Sequence, residues 1–260
     1  MLSHHDRLLI GQKLAEFGDP RPGVVALVRM APEIEWVEIL PGRIKLEGVD
    51  HVFDVKSFRM GKYLVTNAQF EAFLKSEDGF RNKKWWDGIE RGKEASIASW
   101  PEANAPRESV SWFEAVAFCR WLSHRTRSIT RLPTEWEWQQ AATGGDPTRE
   151  YTWHGEWDAA RCNSDESRLR RTTAVGMYPE GATPQGLLDM AGNLSEWCLN
   201  KYEDPMAPES RHINDTDGRR VLRGGSWINK PVNLRVSARV RGLAAYRDNG
   251  VGFRLAQDIP

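Results

Sequence analysis

Between residues 6 and 17 the apolar side chains Leu8, Leu9, Leu14 and Phe17 fall roughly on one face of a helix, and the cluster Gly18-Asp19-Pro20-Arg21-Pro22-Gly23 stops it. This predicts an N-terminal helix and turn over 1–24, docked on a domain occupying 25–260. Apolar and polar positions alternate over residues 34–39 and 52–55, with a Pro41-Gly42 turn between, which predicts two strands. Three further helix starts carry a capping-box pattern, in which a hydroxyl caps the third amide and the residue there reaches back: Thr66 with Gln69, Ser111 with Glu114, and Thr134 with Glu137. The first of these helices buries Phe70, Phe73 and Leu74; the second aligns Ala115, Phe118, Cys119 and Leu122 on one stripe. Cys119 is thus expected to be a core thiol.

Beyond residue 143 the periodicity fades. Gly, Pro, Asp, Asn and Arg dominate with short apolar runs between, so the loops there need anchors: buried tryptophans, arginine pairs or metal ions. The basic cluster Arg161 to Arg171 has Asp165 and Glu166 as neighbours and reads as a solvated loop.

Composition narrows the partners. The 36 basic and 36 acidic residues cancel, which removes the global field that draws a protein to nucleic acid or anionic lipid. No run approaches transmembrane length, and the start lacks the apolar core of a secretion signal, so no membrane or nucleic-acid partner is expected. Three distant cysteines, Cys119, Cys162 and Cys198, offer neither a disulfide framework nor zinc-ligand spacing, and reduced cytoplasmic thiols are expected. Of the twelve tryptophans, Trp112, Trp136, Trp138 and Trp197 are assigned to the core.

The most ordered pattern lies at the C-terminal end. Arg223-Gly224-Gly225-Ser226-Trp227 is followed by Arg235, Arg239, Arg241 and Arg247 and closed by Gly252-Phe253-Arg254, with an unpatterned mixture between. Upstream stand Gly61 to Asn67, Val110-Ser111-Trp112, Arg131 to Trp138, and Gly186 to Asn193 with Glu196-Trp197. From about Glu35 to Gln257 this succession resembles the formylglycine-generating-enzyme domain, a large C-type lectin fold. The resemblance implies an α+β chain of that subtype with little regular secondary structure.

The resemblance also implies a pair of copper-binding cysteines just after the Gly-Gly-Ser turn. Asn229 and Leu234 stand at those positions, and neither can be the thiolate that selects Cu(I). No copper is therefore expected. The iron-dependent sulfoxide synthases, a second enzymatic branch, carry a His-x-x-x-His-x-Glu motif that the six histidines here do not form. The expectation is accordingly that the chain is not an enzyme.

Two metal sites are implied by the family pattern. Asp189 and Glu196, with the carbonyls of Gly192 and Leu194, would give the all-oxygen shell of a structural Ca²⁺; the same two acids could instead cap turns or pair with an arginine. A second Ca²⁺ site would begin at Asn163 and Ser164.

One branch of the fold serves as the variable protein of diversity-generating retroelements, whose C-terminal segment is rewritten at template adenines. The frame Arg223-Gly224-Gly225-Ser226-Trp227 … Gly252-Phe253-Arg254 resembles those proteins, which makes 223–254 the expected variable region. Substituting adenines in asparagine codons yields the residue types found at Ile228, Asn229, Val232, Asn233, Val240, Gly242, Leu243, Tyr246, Asp248 and Asn249. Lys230 does not follow from such codons but is counted among the ligand-binding positions. The implied role is non-catalytic binding of a protein ligand, with affinity concentrated in anchors such as Tyr246, while Trp227 and the arginines hold the backbone. The alternatives are a metal-dependent oxidase with atypical ligands and a sensor subunit working with a separate effector protein.

Overall fold

A computed structural model describes residues 2–28, 31–206 and 218–259. Helix α1 (His4–Phe17) leads, followed by strands β1 (Leu27–Val28), β2 (Ala31–Pro32), β3 (Trp36–Ile39), β4 (Gly42–Lys45), β5 (Val52–Val55) and β6 (Phe58–Gly61). Helices α2 (Asn67–Lys75) and α3 (Trp112–Thr126), strand β7 (Thr130–Arg131) and helix α4 (Glu135–Thr143) complete the first part. The remainder carries β8 (Ser195–Lys201), β9 (Arg219–Arg223), β10 (Val240–Leu243), β11 (Val251–Gly252) and β12 (Ala256–Asp258), separated by long irregular loops.

All three predicted capping boxes form, with Thr66, Ser111 and Thr134 each accepting from the amide three residues on. Both predicted strands form too, but not with each other. Residues 36–39 pair antiparallel with β6, and residues 52–55 pair with β4, which begins at Gly42 of the expected turn. Alternation identifies a strand but not its partner, because register is decided by distant residues.

Two four-stranded sheets organise the chain, in the orders β3-β6-β12-β7 and β10-β9-β8-β11. The C-terminal strand β12 inserts between β6 and β7, so the last residues close the first sheet. Strands β8 and β9 are covered on both faces. Trp197 and Leu222 join a core with Phe70, Phe73, Phe118, Trp121 and Phe253, while Cys198 and Val221 join another with Trp138, Met60 and Phe58. Trp112, Trp136, Trp138 and Trp197 are buried as expected, and the ring N–H of Trp112 and Trp197 donate to the Cys198 and Val110 carbonyls. Cys119, Cys162 and Cys198 are free and buried, and burial pushes each thiol above its ordinary range.

Helix α1 docks by a different face from the one its apolar residues suggest. Leu9 and Phe17 are exposed, and the buried positions are Arg7 and Gly11. Gly11 lies so close to Ala174 that a Cβ would stand 2.8 Å from the alanine methyl. Arg7 donates to the Met177 carbonyl and to Glu180, and Asn104 Nδ2 donates to the Gly11 carbonyl at 3.0 Å. Polar anchors and close backbone approach, rather than an apolar stripe, decide the docking.

Candidate functional site

The glycines that open the C-terminal frame are needed for their backbone. Gly224 and Gly225 have φ of 83° and 67°, and a Cβ on Gly225 would stand 2.8 Å from the Asn233 carbonyl oxygen. The turn brings Asn229 back onto it: Ser226 N and Oγ donate to Asn229 Oδ1 at 2.8 and 2.9 Å.

From that turn onward, arginines bind the segment to buried carboxylates on other elements. Arg223 donates to Glu135 at 2.8 Å and to Gln139 at 2.6 Å, both on α4. Arg239 makes a two-pronged contact with the same Glu135 at 2.7 and 2.8 Å. Arg247 donates at 2.9 Å to Glu114, the capping-box acid of α3. Arg254 grips Glu196 of β8 at 2.6 and 2.8 Å, and its remaining N–H groups reach the carbonyls of Gly61 and Leu188. Forked guanidinium–carboxylate contacts of this kind are strong and directional, which suits them to fixing loop backbone. Arg235 and Arg241 differ, lying at the ion-pair limit from the exposed Glu47 and Glu203, 3.8 and 3.9 Å.

Between those anchors the side chains divide cleanly. Leu234, Val236, Ala238, Ala244 and Gly250 are buried, whereas Ile228, Lys230, Val232, Asn233, Val240, Leu243, Tyr246 and Asn249 are exposed. Asn229, Gly242 and Asp248 are half-buried and also hold the backbone. Asn229 caps the turn, Gly242 leaves no room for a Cβ beside the Trp197 ring, and Asp248 Oδ1 accepts from Gly250 N at 2.8 Å. Trp227 is half-buried, its ring edge on to Trp100 with centroids 5.5 Å apart and its N–H on the Asn249 carbonyl.

Sequence patterning gave no sign of the neighbouring segment 94–100. Arg247 contacts the Glu94 carbonyl, Glu114 and Glu108 accept from the amides of Ser96 and Ser99, and Ile97 at the tip is 89% exposed. The bonds span from 9 to 153 residues, beyond any helix or strand period, so no local spacing announces them.

Both acids expected to bind calcium have partners within the protein. Both oxygens of Glu196 are taken by Arg254, and one also accepts from Trp138 Nε1 at 2.9 Å. Asp189 accepts from Gly176 N at 2.6 Å, and burial raises its carboxyl to about 6. Gly192 and Leu194 flank it in the buried turn. Pairing with an arginine, the other role open to Glu196, is the one found. At the second site the Asn163 carbonyl accepts from Asn193 N, and its side chain bonds Arg171, Asn193 and Ser167; Ser164 is buried beside it. Among the described residues no group of three or more His, Cys, Asp or Glu side chains is placed to hold a metal.

Leu234, at the second position where the family resemblance places a thiol, is fully buried against Tyr151, Trp153 and Cys162, and Asn229 at the first is spent on the turn. Among the described residues no helix is long and apolar enough to cross a membrane.

Comparison with known proteins corrects one expectation. The hercynine oxygenase of Mycolicibacterium smegmatis is 31% identical, over 96% of this chain and 66% of that protein. The formylglycine-generating enzyme of Streptomyces coelicolor is 27% identical over 80% of each. The chain spans between about half and two thirds of the length of the hercynine oxygenases it matches. Relatives that carry enzyme names overturn the expectation of a non-enzyme, because the missing cysteines remove one copper-thiolate route and say nothing of other chemistry. Among solved structures, Treponema denticola variable protein 1 superimposes with a TM-score of 0.68 at 22% identity, over 92% of this chain and 99% of that one, a likeness of fold. Residues 27–259 match the profile of the sulfatase-modifying factor enzyme 1-like domain, and the chain belongs to that family.

Proposed function

We propose that the chain recognises a ligand through the exposed side chains of residues 228–249, and that these side chains are the replaceable part of the molecule. The observation that carries the reading is the division of labour in the C-terminal segment. Its anchoring arginines end on buried carboxylates, while Ile228, Val232, Val240, Leu243 and Tyr246 stand 45–63% exposed. Large apolar side chains held out on a fixed backbone are a common mark of an interaction surface. Positions that carry no stability can change without unfolding the domain, which is what a diversity-generating retroelement requires of its variable protein. A protein ligand fits this face best.

Two experiments test it. The DNA downstream of the gene should hold a near-copy of its final coding stretch beside a reverse-transcriptase gene, differing almost only where the copy has adenine; mismatches spread over all bases, or no copy, reject diversification. For the protein, joint replacement of Ile228, Val232, Leu243 and Tyr246 by serine should abolish binding to a selected ligand with little change in melting.

The identity with hercynine oxygenases over nearly the whole chain favours a second reading, in which the same face forms part of a substrate site within a longer oxygenase. Incubation with hercynine, a thiol, Fe(II) and oxygen, followed by mass spectrometry, should then show oxygen incorporation. No oxygenated product, from this chain or from a longer protein that contains it, would remove that reading.

A further inference from the structure

The sheet β10-β9-β8-β11 ends at β10, which pairs with β9 on one side and with no strand on the other among the described residues. A terminal strand offers a row of main-chain N–H and C=O groups to any extended segment that reaches it. This row lies inside the recognition face, its Leu243 carbonyl already taken by Tyr246 N at 2.8 Å, and the backbone it consists of is the same whichever side chains occupy the replaceable positions. A partner bound through it would keep its binding mode while the filling changes.

The register fixes what surrounds the edge. Val240 and Gly242 stand opposite Leu222 and Arg220, so those four share one face of the sheet; Arg241 and Leu243 stand opposite Val221 and Arg219 and share the other. Val240 and Leu243 are 47% and 63% exposed, so each sheet face presents an apolar side chain at the edge. Arg219 and Arg241 approach one carboxylate, that of Glu203, at 4.0 and 3.9 Å, with all three side chains about half exposed. Among the described residues these two guanidinium groups share that one distant acid, which leaves positive charge beside the edge. An arginine on an edge strand also opposes pairing with a second copy of the same strand.

We propose that the free edge of β10 takes up an extended segment of a partner protein as an added antiparallel strand, selected by an acidic side chain opposite Arg241 and apolar ones opposite Val240 and Leu243. The proposal rests on the reading of 228–249 as the recognition face and names how that face is used. Main-chain hydrogen bonds would supply affinity and the alternating side chains selectivity, as in other cases of strand addition. In antiparallel order the segment reads apolar, any residue, acidic, apolar.

The test selects linear peptides from a random 12-residue display library on the immobilised full chain. Enriched peptides should share the pattern and, when added to the protein, slow amide hydrogen exchange at Val240 to Leu243. N-methylation of the peptide amides that face β10 should weaken binding about tenfold or more, as expected for lost main-chain bonds. Exchanging the acidic residue for lysine should do the same, and the double variant Arg219→Glu, Arg241→Glu should reverse the preference. Enrichment of no peptide, protection confined to other segments, or indifference to N-methylation overturns strand addition. Indifference to N-methylation together with lost binding in the serine-substituted protein would leave the recognition face standing and remove only this mode. Peptides that still bind and protect β10 in the serine-substituted protein would uphold the mode and remove the side-chain face.

Discussion

From Asn67 to Thr143 the helices pack by apolar stripes: Phe70, Phe73, Phe118 and Trp121 meet ring against ring, and capping boxes fix the helix starts. From Arg223 to Arg254 almost no side chain repeats with helix or strand period, and buried ion pairs take the place of the stripe. The two segments are nonetheless one structure, since the acids that receive Arg223, Arg239 and Arg247 sit at the first turns of α4 and α3. A helix start that is already rich in amide donors favours a carboxylate; here the same carboxylates also receive an arginine. Segments without regular structure can thus be held to a rigid body by a few buried charges, provided that every one is paired.

The sharpest way to break this comparison is to remove one partner from each region. Arg254→Ala leaves Glu196 buried without its cation and should cost about 3–5 kcal/mol, and Phe70→Ala should cost about as much through the cavity it leaves. The two should part on rescue. Adding Glu196→Leu to Arg254→Met should restore much of the loss, whereas no second change restores the aromatic site. Urea unfolding checks both, and a double variant no more stable than Arg254→Ala would show that the pair contributes more than mutual neutralisation.

A second test uses pH. Burial raises the Asp189 carboxyl to about 6, above its unfolded value, so the folded state prefers the protonated form. The stability this confers is complete below about pH 4 and is lost as pH rises through 6, a change of about 3 kcal/mol. Asp189→Asn, which keeps an acceptor for Gly176 N, should flatten that dependence. A wild type and variant whose stability difference stays constant from pH 4 to 7 would contradict the burial argument. Titration with Ca²⁺ is the companion measurement: with Glu196 held by Arg254, melting should not respond, and a clear rise would reinstate a cation at Asp189.

Smaller effects sharpen the contrast. Ser111→Ala or Thr134→Ala removes a cap and should cost about 1 kcal/mol. The joint serine substitution at Ile228, Val232, Leu243 and Tyr246 should cost about 0.5 kcal/mol or less per site, as surface changes do. Global unfolding of that variant would place these side chains in the core and end the argument for a recognition face.

Helix starts were legible because capping is local: a hydroxyl and an acid three residues apart suffice. The frame was legible for a related reason, since Arg223, Gly224, Gly225 and Arg254 tolerate few substitutes in a turn that needs positive φ and a cation that must be buried. What the sequence could not disclose is long-range choice. Asp189 and Glu196 have a spacing that suits a cation shell or an arginine, and only the approach of Arg254 from 58 residues away decides for Glu196. The docking face of α1 was hidden for the same reason, because Gly11 matters through Ala174 and Arg7 through Met177. Glu135 lies within the motif Arg131 to Trp138, but nothing near it in the chain shows that it will hold two arginines.

That shared glutamate has a consequence for transplantation. Arg223 and Arg239 bracket the first half of the replaceable face and both end on Glu135, so the stretch between them behaves as a cassette latched at each end to a single socket. Moved into another member of the family, the stretch 223–254 should keep its shape where the recipient offers carboxylates equivalent to Glu135, Glu114 and Glu196. In a recipient lacking the first, both latches open together and the displayed side chains lose their common backbone, however faithfully the segment itself is copied.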